Sequence, residues 1–221
     1  MTELDTLELE TRQQPDAVVI WLHGLGADGN DFTPVVEQLS LPSTFRIRFV
    51  FPHAPIRPIT INQGYRMRGW YDITSLDVAG RDDAEGIIAS SEAVARLCED
   101  QVSRGIRHDR IVLAGFSQGG AIALHCGLRR PQRLAGIMAL SCYLPRAASL
   151  ETEAADANRD TPVFIAHGRI DSVVSIEFGR QARAQLEQQG YPVRWREYPM
   201  GHSVCADEIA DIRSWLIELL G

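Results

Sequence analysis

The chain has 221 residues, 45% apolar and 23% charged, which fits one folded domain over 1–221 and excludes a disordered chain. Lys and Arg number 22 and Asp and Glu 29, a net charge of −7. That balance attracts neither a phosphate backbone nor anionic lipid, so no nucleic acid is expected as a partner.

The first predicted strand is 17–22 (AVVIWL), a β-branched run ended by Gly24. A glycine-rich loop occupies 23–29. A second strand, 47–51, is stopped by Pro52. Residues 52–76 carry Pro52, Pro55, Pro58, Gly64 and Gly69 beside Trp70 and Tyr71. They read as one loop, of a length often tied to function in compact domains. Apolar positions at Ile87, Ile88, Val94, Ala95, Leu97 and Val102 predict a helix over 82–104. Strand 110–115 runs into a helix at 118–129, and a strand follows at 134–140. Residues 146–159 are polar and helical in composition, and read as a solvated surface excursion. Strand 162–167, helix 176–189, an alternating strand at 193–198 nearer an edge, and helix 207–220 complete the chain. Continuous apolar strands suit burial on both faces. Their alternation with helices implies an α/β fold, a mostly parallel sheet with right-handed crossovers.

Cys98, Cys126, Cys142 and Cys205 form no CxxC pair and no zinc-ligand spacing with histidine. The first three lie in apolar surroundings, which predicts buried free thiols and favours a reducing compartment. Residues 1–12 alternate acidic and apolar side chains, unlike a secretory leader. No apolar stretch approaches the ~20 residues of a membrane helix, so no integral membrane segment is expected.

Gly115-Phe116-Ser117-Gln118-Gly119 fits G-x-S-x-G, and Gly120 follows. It stands between a predicted strand and a predicted helix, the context the motif requires. Glycine neighbours let the chain turn sharply and leave Ser117 Oγ exposed. Ser117 is therefore the candidate nucleophile. An ordinary glycine-rich turn is the bland alternative. A serine hydroxyl needs a base, and histidine is best tuned for it. His202 lies in the loop after strand 193–198, at a strand's carboxyl end, where ligands bind in open α/β sheets. In this kind of fold the order is serine, acid, histidine. Asp171, in the loop past strand 162–167, is the acid that fits. Capping of the next helix is the structural alternative for that loop, and it suits Ser172 or Ser175 better. Asp156 and Asp160 precede the strand, on the wrong side of the sheet. His125 reads as a packed histidine, and His23 as a hydrogen-bonding loop residue. Charge developing on a carbonyl oxygen needs two amides. Gln118, after the nucleophile, supplies one, and Leu25 in the glycine loop the other, with Gly24 and Gly26 giving backbone freedom.

HGLGADG at 23–29, FPHAP at 51–55, MRGWYD at 67–72, GFSQGG at 115–120, HGRIDSVV at 167–174 and the Gly201-His202 pair resemble, in order, the carboxylesterases and acyl-protein thioesterases grouped as phospholipase/carboxylesterases. The likeness runs across nearly the whole chain. It implies an α/β-hydrolase fold and the triad Ser117, Asp171 and His202. It also implies that loop 52–76 flanks the acyl site with Trp70 nearby, so Trp70 and Gly24 are the expected substrate-binding residues. Plain packing is the alternative for Trp70 and Tyr71. The expected substrate is a small or lipid-like acyl ester, with short- to medium-chain esters first and thioesters or lysophospholipids second. A non-catalytic binder on the same fold is the remote third. Family members are commonly cytoplasmic and metal-free and some form dimers, so the expectation is a cytoplasmic protein without metal or cofactor, with a homodimer left open.

Overall fold

A computed structural model describes residues 4–75 and 83–221. Leu76, the end of the predicted loop, and Asp82, the start of the predicted helix, lie outside them. In chain order come β1 (Thr6–Glu10), β2 (Ala17–Leu22), α1 (Thr33–Gln38), β3 (Ile47–Pro52), β4 (Ile56–Ile59) and β5 (Tyr65–Arg68). Then follow α2 (Ala84–Ser103), β6 (Ile111–Phe116), α3 (Gln118–Arg129), β7 (Gly136–Leu140) and α4 (Leu150–Glu153). The chain ends with β8 (Val163–Gly168), α5 (Ile176–Gln188), β9 (Val193–Tyr198) and α6 (Ala206–Leu220).

Seven strands form one sheet in the order β1-β3-β2-β6-β7-β8-β9. All pairings are parallel except β1 with β3. The apolar runs became inner strands because helices cover both faces. Val18, Ile20 and Leu22 share a core with Ile87 and Val94 of α2, Ile122 of α3 and Leu186 of α5. Ala17, Val19 and Trp21 join Val35 of α1 and Ile212, Trp215 and Leu216 of α6. Burying each such aliphatic side chain contributes about 1.5–3 kcal/mol, so the two layers clamp the sheet. β9 lies at one edge, and its alternating VRWREY fits that place.

Three features depart from the sequence reading. The N-terminal alternation is β1, the antiparallel edge strand. Its Glu10 accepts from Arg48, whose Nη1 donates to Gln101 at 2.9 Å, while Glu8 pairs with Arg104. Those acids blunt an edge that could otherwise recruit another strand. The long predicted loop folds part of itself into a hairpin, β4 with β5. The segment 146–159 is not merely solvated. Leu150 and Asn158 are fully buried. Asn158 accepts from the Leu134 amide and donates to the carbonyls of Arg130 and Gln132. Glu153 joins Arg129 to Arg146, each at 2.7 Å. All four cysteines are free, and Cys98, Cys126 and Cys142 are buried as expected.

The sheet carries its parallel strands so that the loops after β2, β6, β8 and β9 open on one rim. Those loops begin at His23, Ser117, Arg169 and Pro199.

Candidate active site

Ser117 joins β6 to α3 with φ 54° and ψ −120°, a conformation that L residues avoid. Such strain costs on the order of 1–3 kcal/mol and persists only where neighbours enforce it. Two glycines explain how. A Cβ on Gly115 would lie 2.3 Å from the Gly119 carbonyl, and one on Gly119 would lie 2.3 Å from the Leu22 carbonyl oxygen. The elbow thus needs bare backbone at both places. The first N–H groups of α3 have no intrahelical partner and point toward the turn, which favours negative charge there.

His202 and Asp171 come to this serine from two other strand ends. His202 Nε2 lies 2.9 Å from Ser117 Oγ, and its Nδ1 lies 2.7 Å from Asp171 Oδ2. A carboxylate only accepts, so Nδ1 carries the proton and Nε2 offers a lone pair to the serine hydroxyl. The Phe116 ring packs at 4.6 Å from the imidazole and limits its swing. The Asp171 side chain is fully buried. A buried charge must be compensated, and Asp171 Oδ1 accepts from the amides of Val173 at 2.9 Å and Val174 at 2.8 Å. Ser175, not Asp171, caps α5. Asp156 is fully exposed and far from this arrangement in the fold's connectivity, in the turn before β8.

The predicted oxyanion residues meet at the same cleft. Leu25 and Gln118 line a cavity of about 190 Å³ together with Ser117. His23 holds the glycine loop as expected: its Nε2 accepts from the Ala54 amide at 3.0 Å and its Nδ1 donates to the Gly24 carbonyl at 2.7 Å. Burial lowers its basicity and keeps the ring neutral. Gly26 takes φ 79°, and its amide donates to the Arg68 carbonyl, tying the loop to β5. A Cβ on Gly24 would stand 3.5 Å from Ser117 Cβ, so this glycine borders the nucleophile.

Trp70 is fully buried, and its indole donates to the His23 carbonyl at 2.9 Å. It braces the glycine loop from behind, because its indole N–H finds a backbone acceptor there rather than at the rim. The cleft is walled by Ile61, Tyr71, Ile73, Tyr143, Val173 and Val174. The two tyrosine hydroxyls meet at 2.8 Å. Tyr143 follows β7 and the valines follow β8, so strand-end position was the available signal. His125 is a packed histidine as expected. It contacts Ser91 Oγ, and desolvation with two nearby arginines pushes its pKa down to about 3. Among the described residues no His, Cys, Asp or Glu cluster could hold a metal. No described helix is long and apolar enough to cross a membrane.

A parallel sheet with a strained serine elbow, and a histidine and buried carboxylate in series at its rim, defines a serine hydrolase of the α/β-hydrolase fold. The chain belongs to the phospholipase/carboxylesterase family, whose model matches residues 8–220. It is 40% identical over 213 residues to acyl-protein thioesterase 1 of Neurospora crassa, covering 92% of this chain and 87% of that one. Its fold is similar to the crystal structure of Zea mays acyl-protein thioesterase 2, with TM-score 0.87, 29% identity, and 98% and 99% of the two chains covered. It is also similar to Arabidopsis thaliana SOBER1, with TM-score 0.88, 29% identity, and 93% and 99% covered.

Proposed function

We propose that this chain hydrolyses short- to medium-chain carboxylic esters through an acyl-enzyme on Ser117. The observation that carries the reading is the unbroken series from Ser117 Oγ through the His202 ring to Asp171, with contacts of 2.9 and 2.7 Å. As Oγ bonds to the acyl carbon, its proton passes to His202 Nε2. The imidazolium that forms faces the Asp171 carboxylate, which holds the ring in one tautomer. The carbonyl oxygen becomes an oxyanion, with the backbone amides of Leu25 and Gln118 as its donors. His202 then returns the proton to the leaving alcohol. Water, deprotonated by the same ring, attacks the acyl-serine and restores the enzyme. The small cleft supports the chain-length assignment. Its lining of Leu25, Ile61, Ile73 and Val173 suits an apolar acyl chain.

A second reading is thioester hydrolysis by the same triad. The names of the relatives, acyl-protein thioesterases from several fungi, favour it. The complete triad weighs against a mere binding protein, which has no use for all three groups. The protein is placed in the cytoplasm in both readings.

The test is turnover of nitrophenyl esters of two to sixteen carbons beside matched acyl thioesters. The first reading expects the highest kcat/KM on esters at short or medium length. A sharp optimum on long chains or on thioesters overturns it in favour of the second.

A further inference from the structure

His167 ends β8 and has no role in the chemistry above, yet it is fully buried beside Asp171. Its Nε2 lies 2.8 Å from the Val174 carbonyl oxygen. That oxygen only accepts, so Nε2 carries the ring's proton. Its Nδ1 is buried without a hydrogen-bond partner among the described residues. The same Nε2 stands 3.6 Å from Asp171 Oδ2, beyond hydrogen-bond length, and so leaves that oxygen to His202. Val174 is therefore gripped twice: its amide by Asp171 Oδ1, its carbonyl by His167. The ring has a prepared seat. A Cβ on Gly179 of α5 would lie 2.5 Å from His167 Nδ1, and only glycine leaves that space.

We infer that His167 is a positioning residue, whose Nε2–H fixes the turn from Asp171 to Val174 and thereby the carboxylate that His202 requires. The inference rests on the roles proposed for Asp171 and His202. Without that N–H, the Val174 carbonyl is buried and unpaired, and the turn must rearrange to satisfy it. The Val173 and Val174 amides move with it, and Asp171 loses its aim at His202. The neutral ring with its proton on Nε2 supplies this N–H. Burial favours the neutral form. The ionisable groups facing it are Asp171 on its own loop, His202 from the loop after β9, and Glu197 of β9, which Arg180 and Arg169 already hold.

Two variants separate positioning from packing. In His167→Gln the amide nitrogen reaches the Nε2 position. In His167→Asn it reaches only the Nδ1 position. His167→Asn is expected to lose roughly 10–100-fold in kcat, the scale of a small misplacement. Its acid-side loss of activity should move to lower pH, because a misaimed carboxylate stabilises the imidazolium less. His167→Gln is expected to restore both. A His167→Asn protein with the parent's kcat and pH profile, or no rescue by Gln, overturns the inference. The parent protein provides a check that needs neither a variant nor turnover. Nitrogen-15 histidine spectra at neutral pH should show His167 with its proton on Nε2. A neutral ring with its proton on Nδ1 also overturns it. If the parent cleaves no acyl ester, the proposed function fails, and these spectra still judge His167 separately.

Discussion

The side-chain amide of Gln118 clasps the backbone on both sides of the Trp70–Tyr71 peptide: Oε1 accepts from the Trp70 amide at 2.8 Å, and Nε2 donates to the Tyr71 carbonyl at 2.7 Å. One residue thus starts the helix after the nucleophile and anchors the segment that walls the cleft. Gln118→Ala removes both hydrogen bonds and leaves the buried Trp70 amide unpaired, at about 1–3 kcal/mol. The expected result is a lower urea midpoint with an unchanged m value. Tyr71 should also lose its place, so KM rises. Equal midpoints for variant and parent would contradict this.

The elbow is expected to tolerate no added methyl. Gly119→Ala drives a Cβ to within 2.3 Å of the Leu22 carbonyl oxygen, where neither backbone can give way without breaking the β2–β6 rim. The loss should exceed about 4 kcal/mol and show as insoluble or unfolded protein. Gly64→Ala is the control. It has open space around it, and φ +78° is its one constraint, so its cost is about 1–2 kcal/mol. Circular dichroism melting of both variants checks the contrast.

Asp171→Asn should keep the fold, because Oδ1 of asparagine still accepts from the Val173 and Val174 amides. The new NH₂ faces His202 Nδ1, so the ring's proton moves to Nε2 and confronts the serine. A loss of roughly 10⁴-fold in kcat follows, with the melting temperature little changed. Esterase assays alongside melting curves test the pair of outcomes.

How much of this was legible in the sequence depended on what each residue touches. The inner strands were readable because helices cover both faces, which writes an unbroken apolar run into AVVIWL and IVLAG. Helix Gln118–Arg129 was bounded correctly, since the elbow starts it and Arg130-Pro131 stops it. The meeting of Ser117, His202 and Asp171 was legible from strand-end position and order. β1 was hidden because an edge strand with acidic outward residues resembles a charged tail. The β4–β5 hairpin was hidden by Pro55 and Pro58, which an edge strand tolerates. For Trp70 a sequence shows an aromatic near the site but not which way its ring faces. Tyr143 and Val174 were missed because cleft walls carry no local motif.

Stability should depend on pH through Glu208, in the first turn of α6. Burial, with Asp211 adding to it, pushes its carboxyl up to about 8, against 4.5 for a free one. The folded state therefore holds a proton that the unfolded chain releases between pH 4.5 and 8. The contribution is present below about pH 4.5 and is lost as the pH rises to about 8, on the order of a few kcal/mol. Glu208→Gln removes the dependence. Its melting temperature should approach the parent's at pH 5 and exceed it at pH 9. Parallel curves across that range would contradict the assignment.

Hydrolysis by this site requires that an acyl group pass through Ser117. Quenching the reaction with a nitrophenyl ester during turnover, then digesting the protein for mass spectrometry, tests it most directly. The acyl mass is expected on the peptide bearing Ser117, and none in Ser117→Ala, which should remain folded and inactive. An acyl group on another residue, or full turnover by Ser117→Ala, would contradict it.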